Sequence, residues 1–161
     1  GTGTSLTAVQ CVAGFESGSG DSRYSLPDEL ILEGCQGYAN VCAGPSRMVL
    51  SYGCKMSKLL GISTPWGAPT IVSSGSIIEY SGQEGQDDPV GLVDMSGGPA
   101  RGRMYLMGGE IHQRTEGPGR VCVRARLASD GSRIDIKESV KMTNVNGGEM
   151  VDVRIDGVTN E

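Results

Sequence analysis

The strongest constraint in this chain lies in its last third, from Gly119 to Val158, where three strand-like runs are separated by two turn signals. The runs are Arg120 to Leu127, Arg133 to Met142 and Glu149 to Ile155, and between them stand Asp130-Gly131 and Asn146-Gly147. Such dipeptides suit two-residue hairpin turns that need positive φ at both central positions. The pattern therefore predicts a three-stranded antiparallel meander. In that register Leu127 faces Ile134, Ala125 faces Ile136, Met142 faces Val151 and Val140 faces Val153. One face of the meander is then apolar. The other pairs Arg126 with Asp135, Lys141 with Asp152 and Lys137 with Asp156. Cross-strand pairs of these kinds contribute roughly 0.2–1 kcal/mol each, and a one-residue slip would expose the apolar face.

Two residues stand out in this register. Glu138 shares the parity of Ile134, Ile136, Val140 and Met142, so a regular strand turns its carboxylate onto the apolar face. A buried unpaired carboxylate is costly, which predicts a bulge at Glu138-Ser139, a strand leaving the core there, or a site at an interface or ligand cavity. Cys122 falls on the charged face beside Arg124. Both are candidate interface or binding residues.

The rest of the chain supports a β-rich fold. It has 161 residues, of which 26 are glycine and only 37% hydrophobic, which favours many short strands joined by turns over a helical bundle. The expected architecture is mainly β, an antiparallel sandwich or barrel with at most one short helix. It forms a single domain over residues 1–161, with 1–6 and 159–161 as flexible arms. No repeat of solenoid length is visible. Pro45 to Gly61 is the expected helix, since Val49, Tyr52, Met56, Leu59 and Leu60 recur at near-helical spacing, with two short strands on either side of Gly53, a costly residue inside a helix, as the alternative. Arg101 to Met107 and Glu110 to Arg114 flank Gly108-Gly109 as an expected hairpin, with Leu106 opposite Ile111 and Tyr105 opposite His112; a longer strand with a glycine bulge is the alternative.

A net charge of −5 argues against non-specific nucleic-acid binding, and no apolar run approaches the roughly 20 residues of a membrane span. The five cysteines, Cys11, Cys35, Cys42, Cys54 and Cys122, are odd in number. Cys11, Cys35, Cys42 and Cys54 are candidate disulfide partners, with Cys122 the one left over, although small buried thiols are an equal alternative. No C-x-x-C spacing occurs and His112 is the single histidine, so neither a structural metal nor a cofactor is expected. The acidic loop with Glu84, Asp87 and Asp88, with Asp94 beyond it, lacks EF-hand spacing. Lys55-Met-Ser-Lys58 resembles the KMSK signature of class I aminoacyl-tRNA synthetases, and the resemblance implies lysines that hold ATP phosphates. It covers only these residues. The companion His-x-Gly-His motif is absent, and the chain is shorter than the catalytic fold.

These readings lead to three expectations for function. The first is a non-enzymatic structural or assembly subunit of a virion-type or extracellular structure, partnered by copies of itself or by other subunits. The second is a secreted binding module, adhesin or carbohydrate-binding, with Trp66 and Tyr80 as first contacts. The third is a small cysteine-dependent enzyme using Cys54 or Cys122 with His112 as base.

Overall fold

A computed structural model describes residues 4–17, 27–65, 67–80, 90–97, 101–128 and 131–155. They contain sixteen strands and no helix. Every pair of strands is parallel, and one antiparallel bridge, Thr64 to Gly67, sits at a corner. The first stack consists of β1 (Ser5–Val9), β3 (Glu29–Glu33), β5 (Arg47–Leu50), β8 (Thr70–Ser73), β11 (Arg103–Leu106) and β14 (Arg133–Ile136). The second sheet has two arms that meet in β4 (Gln36–Ala43). One arm continues through β6 (Lys55–Met56), β9 (Ser76–Glu79), β12 (Gly109–Gln113) and β15 (Lys141–Asn144). The other continues through β7 (Leu59–Ile62), β10 (Gly91–Gly97), β13 (Val121–Leu127) and β16 (Val151–Ile155), while β2 (Val12–Ser17) pairs with β4. The chain visits the stacks in constant order, so it winds as a coil of six rungs, a parallel β-solenoid.

The alternation of residues within each short strand explains the coil. Inward positions form ladders that run from rung to rung: Leu30, Met48, Ile71, Met104 and Ile134 in one, and Leu32, Leu50, Ser73, Leu106 and Ile136 in the next. Apart from Ile134 and Ile136 on the last rung, these side chains are buried. A large apolar side chain taken out of water contributes about 1.5–3 kcal/mol, so the interior of the coil is the hydrophobic core. Close packing also fixes some small residues. A Cβ on Gly61 would lie 2.8 Å from the Met95 side chain, and Gly109 combines φ +92° with a close approach to the Ser76 carbonyl.

The antiparallel sandwich or barrel expected from the sequence is therefore incorrect. Strands do occupy the closing third, but β13 pairs with β10 and β16, β14 with β11, and β15 with β12. The meander does not form. Leu127 pairs with Ile155 rather than Ile134, and Ala125 with Val153 rather than Ile136. Asn146-Gly147 turns a corner with positive φ at Gly147 but not at Asn146, so the mirror-image hairpin turn is absent. The expected strand Arg133 to Met142 breaks at Lys137–Val140, closed by the Val140 amide donating to the Lys137 carbonyl at 3.1 Å. Glu138 sits exposed in that turn.

The helix expected over Pro45 to Gly61 is also replaced by strands, β5 to β7, on three different faces. β11 and β12 lie in different stacks rather than in a hairpin. Of the expected amino-terminal arm, Ser5 and Leu6 belong to β1. The repeat is real but uneven. Successive first-stack strands are offset by 24, 18, 23, 33 and 30 residues, and such unequal steps leave no constant period in the sequence.

Candidate functional site

The outer surface of the arm through β6, β9, β12 and β15 carries a connected set of polar side chains. One outward row is Gln36, Lys55, Ile77, Glu110 and Lys141; beside it run Glu79, His112 and Thr143. His112 is held on both ring nitrogens, with Nε2 3.0 Å from Glu110 Oε2 and Nδ1 2.6 Å from Thr143 Oγ1. In the neutral ring, Nε2–H donates to the carboxylate while Nδ1 accepts the threonine hydroxyl. That hydrogen bond from His112 holds the Glu110 carboxyl below its ordinary pKa. Glu79 accepts from Arg114 Nε at 2.6 Å. Toward the first rungs this face opens into a groove of about 230 Å³ lined by Val12, Tyr38, Lys55, Ser57 and Glu79. Tyr38, at 64% exposure, presents an amphipathic ring at its edge.

A second and larger cleft, of about 550 Å³, spans three successive corners of the coil and is lined by Thr64, Pro65, residues 67–70 and 101–103, and Gly131. It leads onto the outer face of the first stack, where Glu29, Arg47, Thr70, Arg103 and Arg133 form one row. Arg47 Nε lies 3.6 Å from Glu29 Oε2. Arg103 Nε donates to the Gly131 carbonyl at 3.4 Å, and Arg133 reaches Asp135 at 3.7 Å.

The thiols do not behave as the sequence suggested. All five cysteines are free; four are buried and Cys11 is exposed. The expected disulfides among Cys11, Cys35, Cys42 and Cys54 are thus corrected, and with them goes the support they lent to an oxidising, extracellular or virion setting. Each buried sulfur instead donates to backbone carbonyls: Cys35 to Ala8, Cys42 to Ser46 and Thr70, and Cys54 to Leu32. Cys122 is not on a charged surface. It is fully buried, with the Thr143 carbonyl 3.3 Å and the Ile111 carbonyl 3.7 Å from its sulfur as acceptors for its one S–H. Burial pushes the thiols of Cys42, Cys54 and Cys122 above their ordinary pKa, away from the thiolate that nucleophilic chemistry needs. His112, bonded to Glu110 and Thr143 on the outer face, makes no hydrogen bond to Cys122.

The other sequence candidates are scattered. Trp66 lies outside the described residues, as does the acidic loop with Glu84, Asp87 and Asp88. Tyr80 is half-buried against the core. Asp94 stands on the outer face of β10, in register with Arg124. Lys55 is in β6, and Lys58 lies beyond it at a corner, where its carbonyl accepts Asn40 Nδ2 at 2.8 Å. The sequence reading missed Tyr38. Its one signal is its place beside Gly37, whose missing side chain leaves room for Asn40 and Met56 inside the coil and so fixes the outward parity of its neighbour.

The ends of the coil form a further surface. Among the described residues no strand pairs with the outer edges of β1, β14, β15 or β16. Ile134, Ile136, Met142, Val153 and Ile155 are only partly buried there, and Leu6 at the opposite end is 55% exposed. Comparison of the chain with protein families, with curated proteins and with solved structures finds no match. Among the described residues no helix is long and apolar enough to cross a membrane.

Proposed function

We propose that the chain is a structural subunit of an assembly in which the last rung of one copy stacks on the first rung of the next. The observation that carries this reading is the change in burial along the ladders. Met104 and Leu106 are at most 1% exposed, whereas their partners Ile134 and Ile136 are half-buried with no described strand beyond them. An open strand edge with apolar side chains is a template for further pairing.

The first rung of a second copy suits that edge. Continuing the observed register brings Leu6 onto Ile134 and Ala8 onto Ile136. Ser5–Val9 carries no charge to oppose Arg133, Asp135 or Lys137. One rung further, Glu29 and Glu33 occupy the same outward columns as Arg133 and Lys137. Such a contact is heterologous and grows into a filament or a ring. Sedimentation velocity over a concentration series tests it. The sedimentation coefficient should rise with concentration for the native chain and stay at the monomer value for Ile136→Lys with its β circular dichroism retained. A monomer at every concentration would refute the reading.

A second reading, a binding module, draws on the groove beside Tyr38, where an exposed ring stands next to Lys55 and Glu79. Aromatic rings flanked by hydrogen-bonding groups suit the apolar faces and hydroxyls of sugars. A glycan array with the native chain and Tyr38→Ala tests it, and binding unchanged by the substitution would remove it. The buried thiols lend no support to a cysteine-dependent enzyme.

A further inference from the structure

Arg103 lines the larger cleft, and its partner Arg133 stands on the last rung, the rung that the stacking contact also uses. Arg103 and Arg133 stand directly opposite on adjacent rungs, where strands are about 4.8 Å apart. Like charges so placed destabilise a sheet, and here they do so in a chain whose net charge is −5. The two side chains lean to different acceptors. Arg103 donates to the neutral Gly131 carbonyl and makes no ion pair with a described residue, while Arg133 has a long contact to Asp135. Arg101 lines the same cleft.

We propose that the Arg103–Arg133 pair, of which Arg103 lines this cleft and Arg133 stands next to it in register, binds a tetrahedral oxyanion, a phosphate or sulfate ester. A guanidinium presents a planar fork of N–H groups that matches two oxygens of such an anion, and the pair of charges gains from an anion shared between them. The cleft volume, about 550 Å³, leaves room for the organic group that carries the ester. Its walls, Pro65, Ala68 and Pro69 among them, offer that group apolar contact.

The test is thermal unfolding of the full chain in sodium phosphate, sodium sulfate and sodium chloride at matched ionic strength. Ligand binding to the folded state raises the midpoint in a saturable way, whereas screening of the arginine pair acts equally in all three salts. The expected result is a saturable rise of several degrees with phosphate, sulfate or both, beyond that in chloride, and loss of the rise in Arg103→Gln and in Arg133→Gln. A rise with phosphate alone identifies the phosphate ester, and with sulfate alone the sulfate ester. In chloride, Arg103→Gln should unfold at the native midpoint or above it, because it relieves a repulsion. Equal midpoints in the three salts would overturn the proposal, as would an undiminished oxyanion effect in both variants. A lower midpoint for Arg103→Gln in chloride would make Arg103 a structural donor to Gly131 and overturn it too.

Discussion

Arg126 reaches from β13 to Asp152 of the neighbouring rung, with Nη2 2.6 Å from Oδ2 and Nη1 donating to the Asp152 carbonyl at 3.1 Å. The carboxylate is thus paired with a residue 26 positions earlier rather than with the hairpin neighbour that the sequence suggested, and the hydrogen bond from Arg126 lowers the Asp152 pKa. A depressed carboxyl pKa stabilises the fold above the unfolded value, about 3.9, and that stability is lost as pH falls through the folded value. Asp152→Asn should therefore flatten the stability profile below about pH 4 and leave its shape unchanged near neutrality. A double-mutant cycle with Arg126→Gln at pH 7 should give a coupling of about 0.2–1 kcal/mol, the range for solvent-accessible ion pairs.

Corner geometry gives a sharper contrast. Gly109 has φ +92°, and its would-be Cβ runs into the backbone of Ser76, whereas Gly131 and Gly147 have φ +72° and +64° with open space around them. Left-handed backbone costs a non-glycine residue about 1–2 kcal/mol. Gly131→Ala and Gly147→Ala should each lose about that much in denaturant melts. Gly109→Ala should lose clearly more, since backbone must move to admit the methyl group.

The ladders predict a gradient along the coil. Leu106→Ala empties a fully buried site and should cost about 2–5 kcal/mol. The same truncation at Ile134, half-buried on the last rung, should cost less than half of that in dilute monomer. Chemical denaturation of the two variants checks the order.

Thiol chemistry offers an independent reading of the interior. With one exposed and four buried cysteines, a disulfide reagent at pH 8 should titrate one thiol per native chain quickly, and Cys11→Ser should abolish that phase. The remaining four should react only on unfolding.

Strand content was legible in the sequence because each rung alternates inward and outward residues. The pairing was not, because that alternation is identical whether the neighbour lies across a two-residue turn or about 30 residues away. Arg133 to Ile136 shows this plainly: its parity was read correctly and its partner, β11, was not. The apparent helix at Pro45 to Gly61 rested on Val49, Tyr52, Met56, Leu59 and Leu60, of which only Met56 and Leu59 are buried while Tyr52 is 84% exposed, so its near-helical spacing mixed inward and outward residues of successive strands and corners. Cys122 was assigned to the wrong side because β13 begins at a corner, where Val121, Cys122 and Val123 are all buried. Tyr38 and the arginine row depend on register between rungs, which no local pattern encodes.

The most direct test of end-to-end stacking is directional cross-linking between copies. Thr7 and Asp135 occupy the same outward column of the first stack on its first and last rungs. In a Cys11→Ser background, a chain carrying both Thr7→Cys and Asp135→Cys, treated with a short bis-maleimide, should give a ladder of covalent multimers. Either substitution alone should give monomer. No ladder from the double variant, or dimers of equal yield from each single variant, would contradict head-to-tail stacking.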